Sequence, residues 1–185
     1  MAASEPTQRF RIRLADTSDA SRVAMLGARL FEQSFGAANT PANMQAYLAT
    51  AFGEQQQRSE LARPDSRLWL AEDDTGRDIG YVFLKLERPL PTSAAVAPTR
   101  PAELVRLYAD RSWHGGGVGA ALLDTCVREA AAAGADLLWL GVWQENPRAI
   151  AFYEKHGFQR VGEQEFQLGD DRQHDWVMAR PLGPC

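Results

Sequence analysis

The chain has 185 residues, 45% of them apolar and 24% charged, which suits one globular domain with a sizeable core and excludes a disordered or fibrous protein. No run approaches the ~20 apolar residues of a membrane span. A formal net charge of −4 argues against a nucleic-acid surface and is compatible with a cationic substrate.

Residues 10–14 (FRIRL) alternate and predict a first strand. Asp16 or Ser18 is placed to cap a helix reaching Phe35, with Val23, Leu26, Leu30 and Phe31 on its apolar face. Thr40-Pro41 opens a second helix, a capping hydroxyl followed by proline at the first helical position, and this helix carries Met44, Tyr47, Leu48 and Phe52. Residues 53–62 are polar and read as a turn and a short helix. Residues 68–72 and 79–87 predict a hairpin across the turn DDTGRD. Residues 89–101 (PLPTSAAVAPTRP) cannot be a central strand or an ordinary helix, so they predict a long loop.

A strand follows over 103–109. Residues 118–133 then form a helix with Val118, Leu122, Cys126 and Ala130 on one stripe and Gly134 as its C-terminal cap. Residues 137–143 are a buried strand. Asn146-Pro147 opens another helix, which Gly157 ends. Residues 158–168 and 175–180 make a last antiparallel pair. The order predicts an α/β fold: a single domain over 1–185, with one mixed sheet of about seven strands and helices on both faces. Residues 1–8 are expected to be weakly ordered.

Cys126 lies in a helical apolar pattern and Cys185 is the last residue, so no structural disulfide is expected. The opening MAASEPTQRF lacks the apolar stretch of a signal peptide. A cytoplasmic location is the expectation, with neither membrane nor nucleic acid as partner. The sequence leaves the oligomeric state open, a dimer included.

The most informative segment is LVRLYADRSWHGGGVGAA, where a strand runs through a polar turn into four glycines within 115–119 and then a helix. Glycines let backbone N–H groups approach an anion, and the helix dipole favours negative charge there. A nucleotide P-loop is excluded, because no Lys-Ser/Thr follows the last glycine. Gly115, Gly117 and Ala120 satisfy a dinucleotide G-x-G-x-x-A, but Asp136 starts the next strand instead of ending it, and too little chain follows for a doubly wound fold.

A third reading takes in the following unit, and with it the chain resembles the GNAT N-acetyltransferase family. That family's acetyl-CoA loop reads (Gln/Arg)-x-x-Gly-x-(Gly/Ala). Here His114, Gly115, Gly116, Gly117, Val118 and Gly119 match it except at the first position, where His114 replaces Gln or Arg. The family then shows Asn-x-x-Ala-x-x-Phe-Tyr-x-x-x-Gly-Phe, which this chain carries from Asn146 to Phe158. The resemblance covers 103–180 well. It implies acetyl-CoA as co-substrate, with the loop N–H groups on the pyrophosphate. It also implies that the preceding strand, at Leu107, Tyr108 and Ala109, splays from its neighbour and pairs with the pantetheine arm. Asn146 would contact that arm, and Tyr153 the sulfur.

Acetyl transfer to an amine needs a proton removed from the ammonium, a polarised thioester and a proton for the leaving thiolate. Tyr153 is placed for the last task, since its pKa near 10 is close to that of an alkyl thiol. The plainer role for Tyr153 is helix packing, and for Asn146 it is a helix cap. Glu103 opens the strand before the loop, where some members of the family place a glutamate base. Glu72, Glu87 and Asp110 are alternatives. His114, His156 and His174 lack metal-ligand spacing, so no metal is expected.

The tail FQLGDDRQHDWVMARPL and the stretch over 31–48 are similar to PaiA-like polyamine acetyltransferases. Asp170, Asp171 and Asp175 are placed to attract a polycation. The expected activity is direct acetyl transfer from acetyl-CoA to a primary amine, small molecule or peptide, with spermidine or spermine as the polyamine case. The alternative is a coenzyme A-binding sensor with little catalysis.

Overall fold

The computed structural model describes residues 9–183. The expectations for residues 1–8 and for Cys185 lie outside the described residues. The chain runs β1 (Phe10–Leu14), α1 (Ala20–Phe35), α2 (Pro41–Ala51), α3 (Glu54–Leu61), β2 (Ser66–Asp73), β3 (Asp78–Lys85) and β4 (Pro101–Ala109). It continues with α4 (Val118–Ala132), β5 (Leu137–Trp143), α5 (Pro147–Lys155), β6 (Gln159–Leu168) and β7 (Asp171–Pro181). The strands form one seven-stranded sheet in the order β1-β2-β3-β4-β5-β7-β6. The β4–β5 pair is parallel and the others are antiparallel.

Local chemistry sets the element ends. The Asp16 side chain accepts from the Ser18 N–H, starting a 3-10 turn that leads into α1. Thr40 accepts from the Asn43 N–H at the start of α2. Strand ends differ from the sequence reading in β2 (Ser66–Asp73 against 68–72), β3 (Asp78–Lys85 against 79–87), β6 (from Gln159 against 158), β4 and β7. β4 begins at Pro101 instead of 103, because proline is tolerated as the first residue of a strand. β7 begins at Asp171 instead of 175, since the β6 register carries the pairing to the tip, Leu168 opposite Asp171.

Each sheet face has its own apolar packing. On one face α4 and α5 bury Val118, Leu122, Cys126, Ile150 and Tyr153 against Val82, Leu104, Leu138 and Leu140. On the other, α1 packs Val23, Leu26 and Leu30 on Leu68, Leu70, Tyr81 and Phe83. That second face is covered differently over β5 and β7. There Leu137, Trp139, Val177 and Ala179 lie with Leu90, from the proline-rich loop. The loop is fastened by the Trp139 indole N–H on Arg88 O (2.8 Å) and the Ala95 N–H on Val161 O (2.7 Å). A cleft opens against the sheet, lined from α1, α2, β4, β5, α5, β6 and β7.

Candidate active site

The glycine loop delivers backbone donors. Gly115 and Gly117 hold φ of +85° and +84°, a conformation that costs an L side chain about 1–2 kcal/mol. Gly116 N–H donates within the loop to Trp113 O. Among the described residues, the N–H groups of Gly115, Gly117, Val118 and Gly119 meet no acceptor. The last two belong to the first turn of α4, whose dipole adds positive potential. The arrangement fits a pyrophosphate.

Beside this loop the sheet opens. β4 and β5 pair only over Pro101–Glu103 against Leu137–Trp139, although both strands continue. Asp110 N–H donates to Ile79 O, so strand alternation turns the backbone groups of Tyr108 toward β3 and those of Leu107 and Ala109 into the gap. The gap therefore offers strand-edge groups for an extended arm, the Ala109 carbonyl being shared with His114. Tyr108 also lines the cleft, its ring edge-on to Phe31 and Phe35. His114 Nε2 lies 3.2 Å from Ala109 O, and Arg148 Nη1 lies 2.6 Å from His114 Nδ1. Burial, then the neighbouring Arg148 charge, pulls the His114 pKa down. A neutral imidazole accepting from Arg148 and donating to Ala109 satisfies both contacts. The substitution at the first loop position thus brings an arginine to the rim.

α5 places the next two residues. Asn146 caps it, its Oδ1 accepting from the Ala149 N–H at 3.1 Å. Asn146 and Tyr153, two helical turns apart, both line the cleft. Tyr153 is 8% exposed, and burial raises its pKa well above the ordinary value of 10. It is held protonated at neutral pH, the state a proton donor requires.

The cleft, about 510 Å³, continues onto the opposite half of the site. Aromatic rings from four elements meet there. Phe31 stacks at 4.7 Å on both Phe35 and Tyr47, Phe35 meets Trp143 at 6.2 Å, and Tyr47 meets Phe166 at 5.4 Å. Polar groups lining it include Glu103, Arg106, Gln164, Gln173 and Asp175. Arg106 is committed to Glu60 at 2.7 Å and stacks on Phe52. Glu103 sits where β4 and β5 part, with Arg88 Nε at 3.2 Å, and burial raises its pKa.

Other acids singled out in the sequence are committed elsewhere. Glu72 is paired with Arg11, Arg13 and Arg22; burial opposes its charge, but these partners hold its pKa at about 2. Asp110 pairs with Arg29 and Arg77, and its pKa falls despite burial. Neither lines the cleft.

The three tail aspartates separate. Asp170 and Asp171 sit exposed at the β6–β7 tip, which docks on the start of α2 through Asp170 N–H to Asn43 Oδ1 (3.2 Å). Asp175 faces into the cleft and is 8% exposed. Sequence reasoning grouped Asp175 with the tip and missed Gln164 and the aromatic box. Alternation along β7 carries the signal, because Asp175 shares its face with buried Val177 and Ala179.

Comparison with known proteins agrees with this geometry. The acetyltransferase (GNAT) family model matches residues 29–158. An uncharacterised N-acetyltransferase of Mycobacterium tuberculosis is 33% identical over 165 residues, covering 89% of this chain and 99% of the relative. One from Lactobacillus delbrueckii subsp. lactis is 33% identical over 152 residues, covering 82% and 86%. Among solved structures, PaiA N-acetyltransferase from Thermoplasma acidophilum in complex with coenzyme A superposes with a TM-score of 0.73 at 18% identity, covering 94% and 99%. The ribosomal-protein-S18-alanine N-acetyltransferase of Escherichia coli superposes with a TM-score of 0.65 at 20% identity, covering 96% of each chain.

Proposed function

The chain belongs to the GNAT family and is an acetyl-CoA-dependent N-acetyltransferase, and from that premise we propose that its acceptor is a primary amine of the polyamine type, such as spermidine or spermine. The observation that carries this reading is the single cleft that joins a backbone anion site and an open strand edge to an aromatic half holding two acidic side chains, Glu103 and Asp175. Methylene stems suit the rings, and ammonium groups suit both ring faces and carboxylates. The likeness to PaiA N-acetyltransferase supports the reading at the level of fold.

Each residue then has a task. The N–H groups of Gly115, Gly117, Val118 and Gly119 bind the pyrophosphate, with His114 and Arg148 at the rim. Leu107 and Ala109 pair with the pantetheine arm through their backbone, and Asn146 contacts it through the amide not used in capping. Tyr153 gives a proton to the departing sulfur. Glu103 adds negative charge where the two halves of the cleft meet. Bound acetyl-CoA supplies the thioester, and transfer is direct. The test is turnover of acetyl-CoA against a panel of spermidine, spermine, amino acids and peptide N-termini. Activity with polyamines above the others is expected; activity confined to another class refutes the polyamine assignment.

A further inference from the structure

We propose that Asp175 is the residue that binds the acceptor's ammonium group and takes its proton, at the end of an aromatic box shaped for an unbranched apolar stem. The inference rests on the acetyltransferase reading above and deepens it by assigning the base and the form of the acceptor.

Three observations carry it. First, Asp175 is more than nine-tenths buried, yet among the described residues it has no salt-bridge partner. A buried carboxylate without a counterion is costly, and such a group in a cleft calls for a cation from the ligand. Every other buried acid among the described residues has an arginine partner: Asp19, Glu60, Glu72 and Asp110. Glu103, the rival base, already meets Arg88. Second, the chain makes room for this carboxylate. Gly141 of β5 lies beneath it, and a Cβ there would stand 3.1 Å from Asp175 Oδ2 and collide with Gln164 Nε2. Third, the walls around it are rings from α1, α2, β5 and β6, which shield a stem and present π faces to a cation.

The titratable and polar groups that share the cleft with Asp175 include Gln164 from β6, Tyr47 from α2, Glu103, Arg106 and Tyr108 from β4, Arg111 and His114 beyond it, Glu145 after β5, and Arg148 and Tyr153 from α5, with His174 adjacent on its own strand. Burial raises the Asp175 carboxyl to about 6, while Gln164 and then His174 favour its charged form. It is therefore ionised at neutral pH but close enough to it to exchange a proton.

Asp175 takes one proton from the ammonium. The freed nitrogen pair forms the C–N bond as the C–S bond breaks. Tyr153 gives its proton to the sulfur and regains one from the nitrogen as that becomes an amide. Asp175 returns its proton to water, so one proton is released per turnover.

The experiment compares wild type, Asp175→Asn and Asp175→Glu with n-butylamine and spermidine across pH 5 to 10, alongside coenzyme A affinity by calorimetry as a check on folding. In wild type, kcat/KM should rise with pH through about 6 and level off. In Asp175→Asn it should fall by roughly 10²–10³ at pH 7, lose that plateau and climb tenfold per pH unit, because only amine already deprotonated in solution reacts. Asp175→Glu should restore the plateau in part. A folded Asp175→Asn that keeps the wild-type profile overturns the assignment, whatever its absolute rate. If n-butylamine reacts and spermidine does not, the polyamine reading fails while the Asp175 assignment is judged on n-butylamine. If wild type acetylates neither amine, both fall. Norleucine, which has the butyl stem and a carboxylate beside the amine, should react at least tenfold worse than n-butylamine; equal rates overturn the ammonium site.

Discussion

Asp175 of β7 lies over Gly141 of β5, and the missing side chain of Gly141 is what lets the carboxylate and Gln164 reach across the strand into the cleft. Gly141→Ala keeps ordinary strand backbone and adds one methyl. That methyl must displace Gln164 and press on Asp175. We expect kcat/KM for the amine to fall at least tenfold, with coenzyme A affinity changed less than twofold, because the donor half of the cleft is untouched. Steady-state kinetics with calorimetry on the same preparation checks both halves. An equal loss in both would mean that the sheet itself has shifted.

Tyr153→Phe removes a hydroxyl and leaves the ring packing on Phe152 and Phe158. If Tyr153 supplies the leaving-group proton, kcat should fall by roughly 10²–10⁴ with little change in KM. Wild-type turnover in the folded variant would make Tyr153 a packing residue.

These two residues show where the sequence was readable. Asn146 and Tyr153 are close in the chain, so helical periodicity and the family pattern place them together. The seven strands and most helix ends follow from local signals: Thr40-Pro41, Asn146-Pro147, Gly134 and Gly157. The acceptor half is different. Phe31, Tyr47, Trp143, Phe166 and Asp175 come from five elements, and each reads locally as core or surface. Their meeting depends on strand order and on the docking of the β6–β7 tip at Asn39 and Asn43, which no short-range pattern encodes.

Gly117→Val forces a β-branched residue to φ +84° at the N-terminal end of α4. The strain costs about 1–3 kcal/mol, and the bulk stands where we propose that the pyrophosphate binds. Coenzyme A affinity should weaken at least tenfold, about 1.4 kcal/mol. Calorimetry on the variant, with circular dichroism confirming the fold, decides; unchanged affinity would remove the loop from the binding site.

Glu72 predicts the acid limb of stability. Its carboxyl sits at about 2 in the fold against an ordinary value of 4.5, held down by arginines from β1 and α1. A depressed folded pKa contributes stability that is full above 4.5 and lost as pH falls toward 2. Glu72→Gln should lose about 1–3 kcal/mol at pH 7 and show a flatter decline between pH 4.5 and 2 than wild type. Urea melts across that range measure it, and parallel curves for the two proteins would contradict it.

Asp170 and Asp171 are exposed at the β6–β7 tip, and the hairpin they close carries Gln173 and Asp175 into the cleft. A polycation approaching that mouth should be attracted by the tip before it touches Asp175, and mobile ions should screen the attraction. We therefore expect kcat/KM for spermidine to drop between about 0.01 M and 0.15 M salt, as the Debye length shrinks from ~30 to ~8 Å. n-Butylamine, with one charge, should show a shallower dependence. Asp170→Asn with Asp171→Asn should flatten the spermidine slope and leave its high-salt rate near wild type, because Asp175, the proposed ammonium site, is still present. A double variant with an unchanged salt slope would make the tip aspartates ordinary turn residues and leave recognition to the buried half of the cleft. A slope flattened equally for n-butylamine would point to a general change in surface charge, not to steering of a polycation.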